Sequence, residues 1–240
     1  MTRASPNSVA IQSAPQTLLE SRIEAALAQE QRPIAVVFDL DNTLVDTRFR
    51  TLRAAHLYAA AHLDPEHPMA RLTLEETPYD GAELAQLVGL DPALHGEFFR
   101  YWEDFFWLGE SFELDQGLPA AMQWAWAAEE AGFNVLYLTG RIESLRSASE
   151  AQLRRLGLPF AGSESLLCKP AMGIRTPTYK ATALLRLSET SHIAWFLTES
   201  YSDIAAVQAQ PATAHISVLI EFPVGPKGEP AIAADTPTVL

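Results

Sequence analysis

The most restrictive feature of the sequence is a short apolar run that ends in two carboxylates. Residues 34–38 read Ile-Ala-Val-Val-Phe and are followed by Asp39 and Asp41, which are separated by one residue. A continuous run of this kind, rich in β-branched side chains, predicts a strand buried on both faces of a parallel sheet. Ligands of open α/β sheets bind beyond the carboxyl ends of such strands, so we expect both acids to lie in a site.

The spacing of the two acids has a chemical interpretation. Both carboxylates can turn toward one crevice while Leu40 points into the core, so that one acts as a nucleophile and the other moves a proton. Two acids so close repel each other unless a cation or a shared proton offsets the charge, which predicts an oxygen-seeking ion such as Mg²⁺. Thr43 adds a hydroxyl to the same turn. The alternative is a strand end capped by solvated acids, because an isolated Asp-x-Asp is a short motif.

Composition narrows the class of protein. The 240 residues suffice for one main domain with a small insertion. The formal net charge of −13 argues against binding to nucleic acid or to an anionic membrane, both of which require basic patches. No apolar run is long enough to span a bilayer and the N-terminus lacks a signal-peptide pattern, so a cytoplasmic protein is expected. The single cysteine, Cys168, excludes an internal disulfide and is expected to be buried or half-buried.

Patterns along the chain predict an α/β core interrupted by helices. Residues 34–46 and 114–222 are assigned to a three-layer Rossmann-like sandwich with a parallel central sheet. Residues 47–113 contain helical candidates but no buried strand, and are assigned to a small helical cap insertion over the carboxyl ends of the strands. Residues 1–33 are expected to form an N-terminal tail and helix, and residues 223–240 a C-terminal tail. Aromatic residues in the cap are expected to pack the insertion onto the core, with a substrate wall as the alternative; they are Tyr101, Trp102, Phe105, Phe106 and Trp107.

A second predicted strand, over residues 133–138, delivers a hydroxyl to the same edge of the sheet. It runs into Thr139, Gly140 and Arg141. Gly140 allows the backbone to approach an anion closely, and the next helix, predicted over residues 142–156, would begin there with free amide groups. This arrangement suits phosphate binding; a helix N-cap beside a surface arginine is the alternative.

Two lysines and two further acids follow in the chain. Lys169 ends a predicted strand, and Lys180 lies in the first turn of a predicted helix, where the helix dipole does not favour a cation. Either lysine could neutralise the carboxylates or a substrate phosphate, and the alternative is a solvated surface residue. Glu199 and Asp203 follow the strand predicted over 192–197, and this pair is sufficient to complete a Mg²⁺ shell unless Glu199 merely caps the next helix. A last strand is expected near an edge of the sheet.

Taken together, these motifs resemble those of the haloacid dehalogenase-like (HAD) hydrolases. The string Asp39-Leu40-Asp41-Asn42-Thr43-Leu44 resembles the first motif of this family, in which the first Asp attacks a phosphoryl group and the second is the general acid/base. Thr139 matches the phosphate-binding hydroxyl of the second motif. Lys180 is preferred to Lys169 because the lysine of the third motif usually lies at the start of the helix before the last motif strand.

The fourth motif usually has Asp where this chain has Glu199. The resemblance implies that Asp39, the backbone carbonyl of Asp41, Glu199 and Asp203 hold Mg²⁺. It also implies that Thr43, Gly140 and Arg141 contact the substrate. Arg141 and Arg146 are similar to a pattern of the acid-phosphatase-like branch.

The function implied is a Mg²⁺-dependent phosphatase that hydrolyses small organic phosphomonoesters through an aspartyl-phosphate. Two alternatives stay open. One is a binding protein that kept the fold while Glu199 weakened the metal site. The other is a dehalogenase, which is disfavoured because it needs neither Asp41 nor Mg²⁺. The sequence leaves the particular phosphomonoester and the oligomeric state undetermined.

Overall fold

The chain folds into two compact units. The computed structural model describes residues 8–10, 16–29, 33–214, 216 and 218–220. One unit comprises Met1–Leu44 with Gly117–Leu240, and the other comprises Val45–Gln116. The cap predicted over residues 47–113 falls inside the second unit. The C-terminal tail predicted over 223–240 and most of the predicted N-terminal tail lie outside the described residues.

The first unit is built around a six-stranded sheet in which all neighbouring strands are parallel. The strands of the chain are β1 (Ser8–Ala10), β2 (Ile34–Phe38), β3 (Val45–Asp46), β4 (Gln116–Gly117), β5 (Asn134–Ile142), β6 (Leu166–Lys169), β7 (His192–Thr198) and β8 (Val218–Ile220). The six-stranded sheet has the order β1-β8-β7-β2-β5-β6, and β3 pairs with β4 separately. Residues 35–38 of β2 are fully buried at the centre of the sheet, which confirms the predicted parallel α/β fold.

Each helix belongs to one of the two units. They are α1 (Gln16–Gln29), α2 (Arg48–His62), α3 (Gly81–Leu87), α4 (His95–Phe106), α5 (Pro119–Glu130), α6 (Arg146–Arg155), α7 (Thr176–Ser188) and α8 (Tyr201–Gln208). Helices α2 to α4 belong to the second unit and the others to the first. None of the described helices combines the length and the apolar character needed to cross a membrane.

Two adjacent residues of β7 show that helices cover both faces of the sheet. Successive side chains of a strand point to opposite faces. Trp195 packs edge-on against Trp124 of α5, with ring centroids 5.5 Å apart. Phe196 instead belongs to a buried cluster with Leu184 of α7 and Ile204 of α8. The sheet is therefore the middle of three layers.

The main departure from prediction is at the end of β5. The predicted strand stops at residue 138 and the predicted helix starts at 142, but β5 continues to Ile142 and α6 begins at Arg146. The cause is non-local: Ile142 pairs with Lys169 of β6, which keeps the backbone extended where the local pattern indicates a turn. The backbone that follows Thr139 is thus part of a strand and not a helix N-terminus.

The sheet also contains an unexpected edge strand. The last strand, β8, lies second from the edge, and the edge itself is formed by β1. Residues Ser8–Ala10 pair with Val218–Ile220 in parallel register. A three-residue strand is too short to give a periodic signal, so the sequence predicted only a tail here.

The second unit has a hydrophobic core of its own. Tyr58 of α2 and three aromatic residues of α4, Phe98, Trp102 and Phe106, are buried in one cluster. Tyr101, Phe105 and Trp107 are partly buried against the same cluster. The predicted aromatic cluster therefore serves the packing of this unit itself.

A buried ion pair lies within the second unit. The Arg50 Nε donates to Asp115 Oδ1 at 2.8 Å and its Nη1 donates to the carbonyl oxygen of Phe106 at 3.0 Å. Both charged side chains have no exposed surface. The guanidinium also lies 4.1 Å from the ring centroid of Phe106 and 4.7 Å from that of Phe112. Arg50 thus connects the start of α2 to the last residues of the unit.

We expect Asp115→Ala to lower the free energy of unfolding by about 3–5 kcal/mol, because it leaves the Arg50 guanidinium buried without its carboxylate. Urea unfolding followed by tryptophan fluorescence measures this loss. Glu66→Gln is the matched control, because it breaks the exposed ion pair with Arg71 and should cost less than about 1 kcal/mol. Equal effects of the two substitutions would contradict the structural importance of the buried pair.

Candidate active site

Three adjacent strands bring polar side chains to one edge of the sheet. Asp39 follows β2, Thr139 lies in the last part of β5, and Thr198 ends β7. The backbone N–H of Asp39 donates to the carbonyl oxygen of Leu197 at 2.9 Å, which fixes Asp39 level with the end of β7. The carboxyl edge of the sheet is therefore a cluster of acids and hydroxyls, as the sequence predicts.

A tight turn after β2 sets the directions of the two predicted catalytic acids. The N–H groups of Thr43 and Leu44 both donate to the carbonyl oxygen of Leu40. Asn42 has φ 61°, a left-handed conformation that asparagine tolerates better than most residues. Leu40 is fully buried, as predicted, and the Asp41 side chain keeps 15% of its surface exposed.

Lys180 connects two of the predicted site acids. Its Nζ donates to Asp39 Oδ2 and to Asp203 Oδ2, each at 2.5 Å. The Thr198 hydroxyl donates to the same Asp203 oxygen at 3.2 Å. Of the two candidate lysines, Lys180 is thus the one in contact with Asp39, whereas Lys169 donates to Thr176 Oγ1 at 3.2 Å.

The buried acids carry more negative charge than Lys180 balances. Burial raises the pKa of Asp39 well above its usual value, the Lys180 ammonium opposes this rise, and the carboxylates of Glu199 and Asp203 add to it. Burial alone would lower the pKa of Lys180, but Asp203, Asp39 and Glu199 outweigh burial and raise it. Asp39, Glu199 and Asp203 are each less than 5% exposed. Three buried carboxylates therefore share one ammonium.

Glu199 is held by the turn that follows β2. The Thr43 hydroxyl donates to Glu199 Oε2 at 2.9 Å, and the backbone N–H of Glu199 donates to Thr43 Oγ1 at 3.1 Å. This reciprocal pair brings the glutamate at the fourth-motif position next to the residues of the first motif. The sequence predicted a role for each residue separately but not their mutual contact.

The donor set fits a divalent cation, although the described residues contain no cluster of three or more Asp, Glu, His or Cys side chains arranged around a common point. Asp39 and Asp203 each contact Lys180 through Oδ2, and Asp39 Oδ1 also accepts from the Leu40 N–H at 2.8 Å. Contact with Lys180 therefore does not distinguish the two aspartates, and Asp39, Glu199 and Asp203 all remain candidate side-chain ligands. A hard cation such as Mg²⁺ also accepts backbone carbonyls and water as ligands. The excess of buried negative charge is the observation that favours a cation here.

Arg141 contacts the second acid of the first motif. Its Nη2 donates to Asp41 Oδ1 at 2.8 Å and its Nε to Asp41 Oδ2 at 2.9 Å, while its Nη1 donates to Ser149 Oγ at 3.1 Å. The guanidinium is fully buried. Sequence reasoning missed Ser149 of α6, because no local pattern marks a serine that faces an arginine in another element.

The residues before Arg141 present a close-packed backbone. Thr139 is fully buried and its Oγ1 accepts a hydrogen bond from the Arg141 N–H at 3.2 Å. A Cβ placed on Gly140 would lie 2.9 Å from Cγ2 and 3.1 Å from Oγ1 of Thr176, so this position has no room for a side chain. Gly140 is partly exposed, which leaves its backbone open to an anion.

A parallel α/β sheet with this acid pair, hydroxyl, lysine and second acid pair at its carboxyl edge is consistent with the resemblance to HAD hydrolases expected from the sequence. The family model described as "HAD superfamily, subfamily IIIB (Acid phosphatase)" matches residues 73–223, more than half of the chain. The chain belongs to this family, and it is a hydrolase of phosphoric monoesters. The predicted resemblance, including its acid-phosphatase-like branch, is confirmed. The matched range contains Thr139, Lys180, Glu199 and Asp203 and begins after Asp39 and Asp41.

Solved structures of low sequence identity share the fold. A putative phosphatase from Clostridium difficile has a TM-score of 0.52 at 12% identity, with 80% of this chain and 96% of that chain covered. A protein tyrosine kinase A from Mycobacterium tuberculosis has a TM-score of 0.51 at 16% identity, with 88% of this chain and 93% of that chain covered. A class C acid phosphatase from Bacillus anthracis has a TM-score of 0.48 at 19% identity, with 88% of this chain and 80% of that chain covered. No curated protein matches the sequence. The two likenesses with TM-scores above 0.5 concern the fold alone, because it occurs with more than one activity.

We expect Asp39→Asn to raise the free energy of unfolding of the metal-free protein at neutral pH by about 1–2 kcal/mol. A carboxyl group whose pKa is raised on folding favours the folded state at acid pH, and this advantage is lost as the pH rises through the folded pKa. Asparagine cannot ionise, so the variant does not lose stability in this way as the pH rises. The gain over the original protein should therefore shrink when the pH is lowered toward 4, the usual range of a carboxyl pKa.

Thermal unfolding in the presence of a chelator measures this effect, which corresponds to a rise in Tm of about 2–8 °C. Asp104→Asn, on the exposed face of α4, is the matched control and should change the free energy of unfolding by no more than about 0.5 kcal/mol. A lower Tm for Asp39→Asn would mean that the attraction of Lys180 for Asp39 outweighs the cost of its burial.

Proposed function

We propose that the protein is a Mg²⁺-dependent phosphatase that hydrolyses small organic phosphomonoesters through an aspartyl-phosphate on Asp39. The observation that carries the proposal is the position of Asp39, a buried carboxylate at the end of the central strand, in direct contact with Lys180. Its backbone bond to Leu197 and its contact with Lys180 hold the carboxylate in one place before substrate binds.

Asp39 is the nucleophile of the proposed reaction. A carboxylate oxygen of Asp39 attacks phosphorus, and the bond from phosphorus to the leaving oxygen breaks. Burial supports this role in two ways. Contact with the Lys180 ammonium keeps the carboxylate in position, and the removal of water leaves it less stabilised and therefore more reactive as a nucleophile. Water then attacks the phosphorus of the aspartyl-phosphate, which releases inorganic phosphate and restores Asp39.

Asp41 moves the proton in both halves of the reaction. It gives a proton to the leaving alcohol and takes one from the attacking water. Its partial exposure allows contact with substrate, and the two hydrogen bonds from Arg141 hold both of its oxygens in a fixed plane. We therefore assign Arg141 as a positioning residue for Asp41, in place of the substrate contact predicted from sequence.

The phosphoryl oxygens are held by three groups from two elements, β5 and α7. Thr139 supplies its hydroxyl and Gly140 its backbone N–H, both from β5. Lys180 supplies an ammonium whose charge is preserved by Asp39 and Asp203. Asp203 also acts through Lys180, and the Thr43 hydroxyl acts through Glu199, which it holds at the edge of the site.

Asp39, the backbone carbonyl of Asp41, Glu199 and Asp203 are the residues that would hold Mg²⁺. When bound, the ion offsets the negative charge of the carboxylates and of the phosphoryl group, which is the usual part of a divalent cation in phosphoryl transfer. The excess of buried carboxylates over ammonium groups supports this assignment.

The experiment that tests the proposal is hydrolysis of an aryl phosphate by the original protein and by Asp39→Asn, with Mg²⁺ and with a chelator. We expect turnover that requires the ion, and a loss in the variant of at least about 10³-fold, because no nucleophile remains. Trapping of acid-stable ³²P on the original protein but not on the variant would identify the aspartyl-phosphate. Full activity of Asp39→Asn, or turnover unaffected by chelation, would overturn the proposal.

The proposed role of Arg141 gives a separate prediction. Arg141→Lys keeps the charge but cannot donate two parallel hydrogen bonds to Asp41, so kcat should fall by about 10- to 100-fold while KM changes little. Steady-state kinetics on an aryl phosphate with a good leaving group and on an alkyl phosphate measures these changes in kcat and KM. The loss should be larger for the alkyl phosphate, because its leaving oxygen depends on proton donation by Asp41.

The matched control is Arg154→Lys, which affects an exposed pair with Glu150 on the same helix as Ser149. We expect it to leave kcat and KM within about twofold of the original protein. If Arg141→Lys raised KM and left kcat unchanged for both substrates, Arg141 would be a substrate ligand, as the sequence first suggested.

A further inference from the structure

Lys169 is a buried cation that the proposed reaction does not use. Only three of the 17 basic residues in the sequence are lysines, and Lys169 and Lys180 both lie at the carboxyl edge of the sheet. Lys169 is 7% exposed. Burying an ammonium group without a negatively charged partner lowers the stability of the folded protein, which suggests that Lys169 has a function.

Lys169 differs from Lys180 in having no carboxylate partner among the described residues. Lys180 contacts two aspartates, whereas the hydrogen bond of Lys169 goes to the neutral hydroxyl of Thr176. Burial lowers the pKa of Lys169, and the charge of Lys180 lowers it further. The sequence contains 30 acidic residues, so the lack of a partner does not follow from a shortage of carboxylates.

Lys169 also lies beside the backbone proposed to hold the phosphoryl group. It pairs with Ile142 across β5 and β6, two residues after Gly140. Its partner Thr176 is in contact distance of Gly140, since a Cβ there would lie 3.1 Å from Thr176 Oγ1. Lys169, Thr176 and Gly140 are thus adjacent, and the last two are partly exposed.

The connection between β6 and α7, which runs between Lys169 and Thr176, is exposed to solvent. Residues 170–175 are all exposed, with Met172 at 58% and Ile174 at 39%. A buried ammonium at the base of an exposed loop, next to a hydroxyl, has the chemistry of an anion-binding site.

We propose that Lys169 and Thr176 form a second anion-binding subsite, so that the preferred substrate is a phosphomonoester whose leaving alcohol carries a further phosphate or carboxylate. This inference rests on the proposed phosphatase function and adds a substrate class to it. The second anion of the substrate supplies the negatively charged partner that Lys169 lacks among the described residues. Lys180 stays with the transferred phosphoryl group.

The test compares substrates that differ only in the second charged group. Alkanediol monophosphates of increasing chain length provide the neutral series, and ω-carboxyalkyl phosphates and alkanediol bisphosphates of the same lengths provide the two anionic series. We expect kcat/KM of the original protein to be about 10- to 100-fold higher for an anionic series than for the neutral one. The comparison of the two anionic series shows whether carboxylate or phosphate is the better second group.

Lys169→Met removes the charge and keeps an unbranched side chain, and Lys169→Arg is the matched control that keeps a cation. We expect Lys169→Met to bring the ratio of anionic to neutral kcat/KM close to one, mainly through KM of the anionic series, and Lys169→Arg to retain most of the preference. Circular dichroism and Tm verify that both variants are folded. An equal loss for neutral and anionic substrates, or no preference in the original protein, would overturn the proposal.

Binding separates this inference from the proposed function. In an Asp39→Asn background, calorimetric titration with an alkanediol bisphosphate and with its monophosphate compares affinities without turnover. Tighter binding of the bisphosphate that is lost on adding Lys169→Met supports the subsite, even if the original protein hydrolyses none of these compounds. Equal affinities for the two compounds contradict it.

Discussion

The contact of Lys180 with two aspartates is the interaction on which the candidate site depends. The lysine comes from α7, Asp39 follows β2 and Asp203 lies in α8, so one ammonium joins three separate parts of the chain. Without it, Asp39 and Asp203 would be buried together with no ammonium in contact with them among the described residues, which is among the most costly arrangements in a folded chain. The same charge that holds the site together also prepares it for an anion, because a fixed cation needs no rearrangement when a phosphoryl group arrives.

Local sequence was sufficient to find the positions of the site residues but not their partners. Asp39, Thr139 and Glu199 follow apolar runs, and the ends of parallel strands meet at one edge, so their convergence could be predicted. The pairing of Arg141 with Asp41 joins residues 100 positions apart, and no periodicity reports which of several acids an arginine will face. The extension of β5 to Ile142 was missed for the same reason, since it depends on a neighbouring strand.

The site reconciles an acidic protein with an anionic substrate. The chain carries a formal net charge of −13, which at long range repels phosphate. At short range the Asp41 carboxylate is paired with the Arg141 guanidinium, and Lys180 and Lys169 both lie at the edge of the sheet. The carboxylates of Asp39, Glu199 and Asp203 still outnumber these two ammonium groups, so the cation of the proposed function would supply the positive charge that a phosphate requires in the crevice.

The scarcity of lysine has a practical consequence for spectroscopy. Arginine supplies nearly all of the basic side chains, and the only lysine other than Lys169 and Lys180 is Lys227, which lies outside the described residues. In a sample labelled with isotopes at lysine alone, two of three side-chain signals would therefore come from one edge of the sheet. The two ammonium groups differ in their neighbours, one between aspartates and the other beside a threonine, and their resonances would respond separately to an added anion. The chain thus contains its own pair of reporters, placed where the chemistry is proposed to occur.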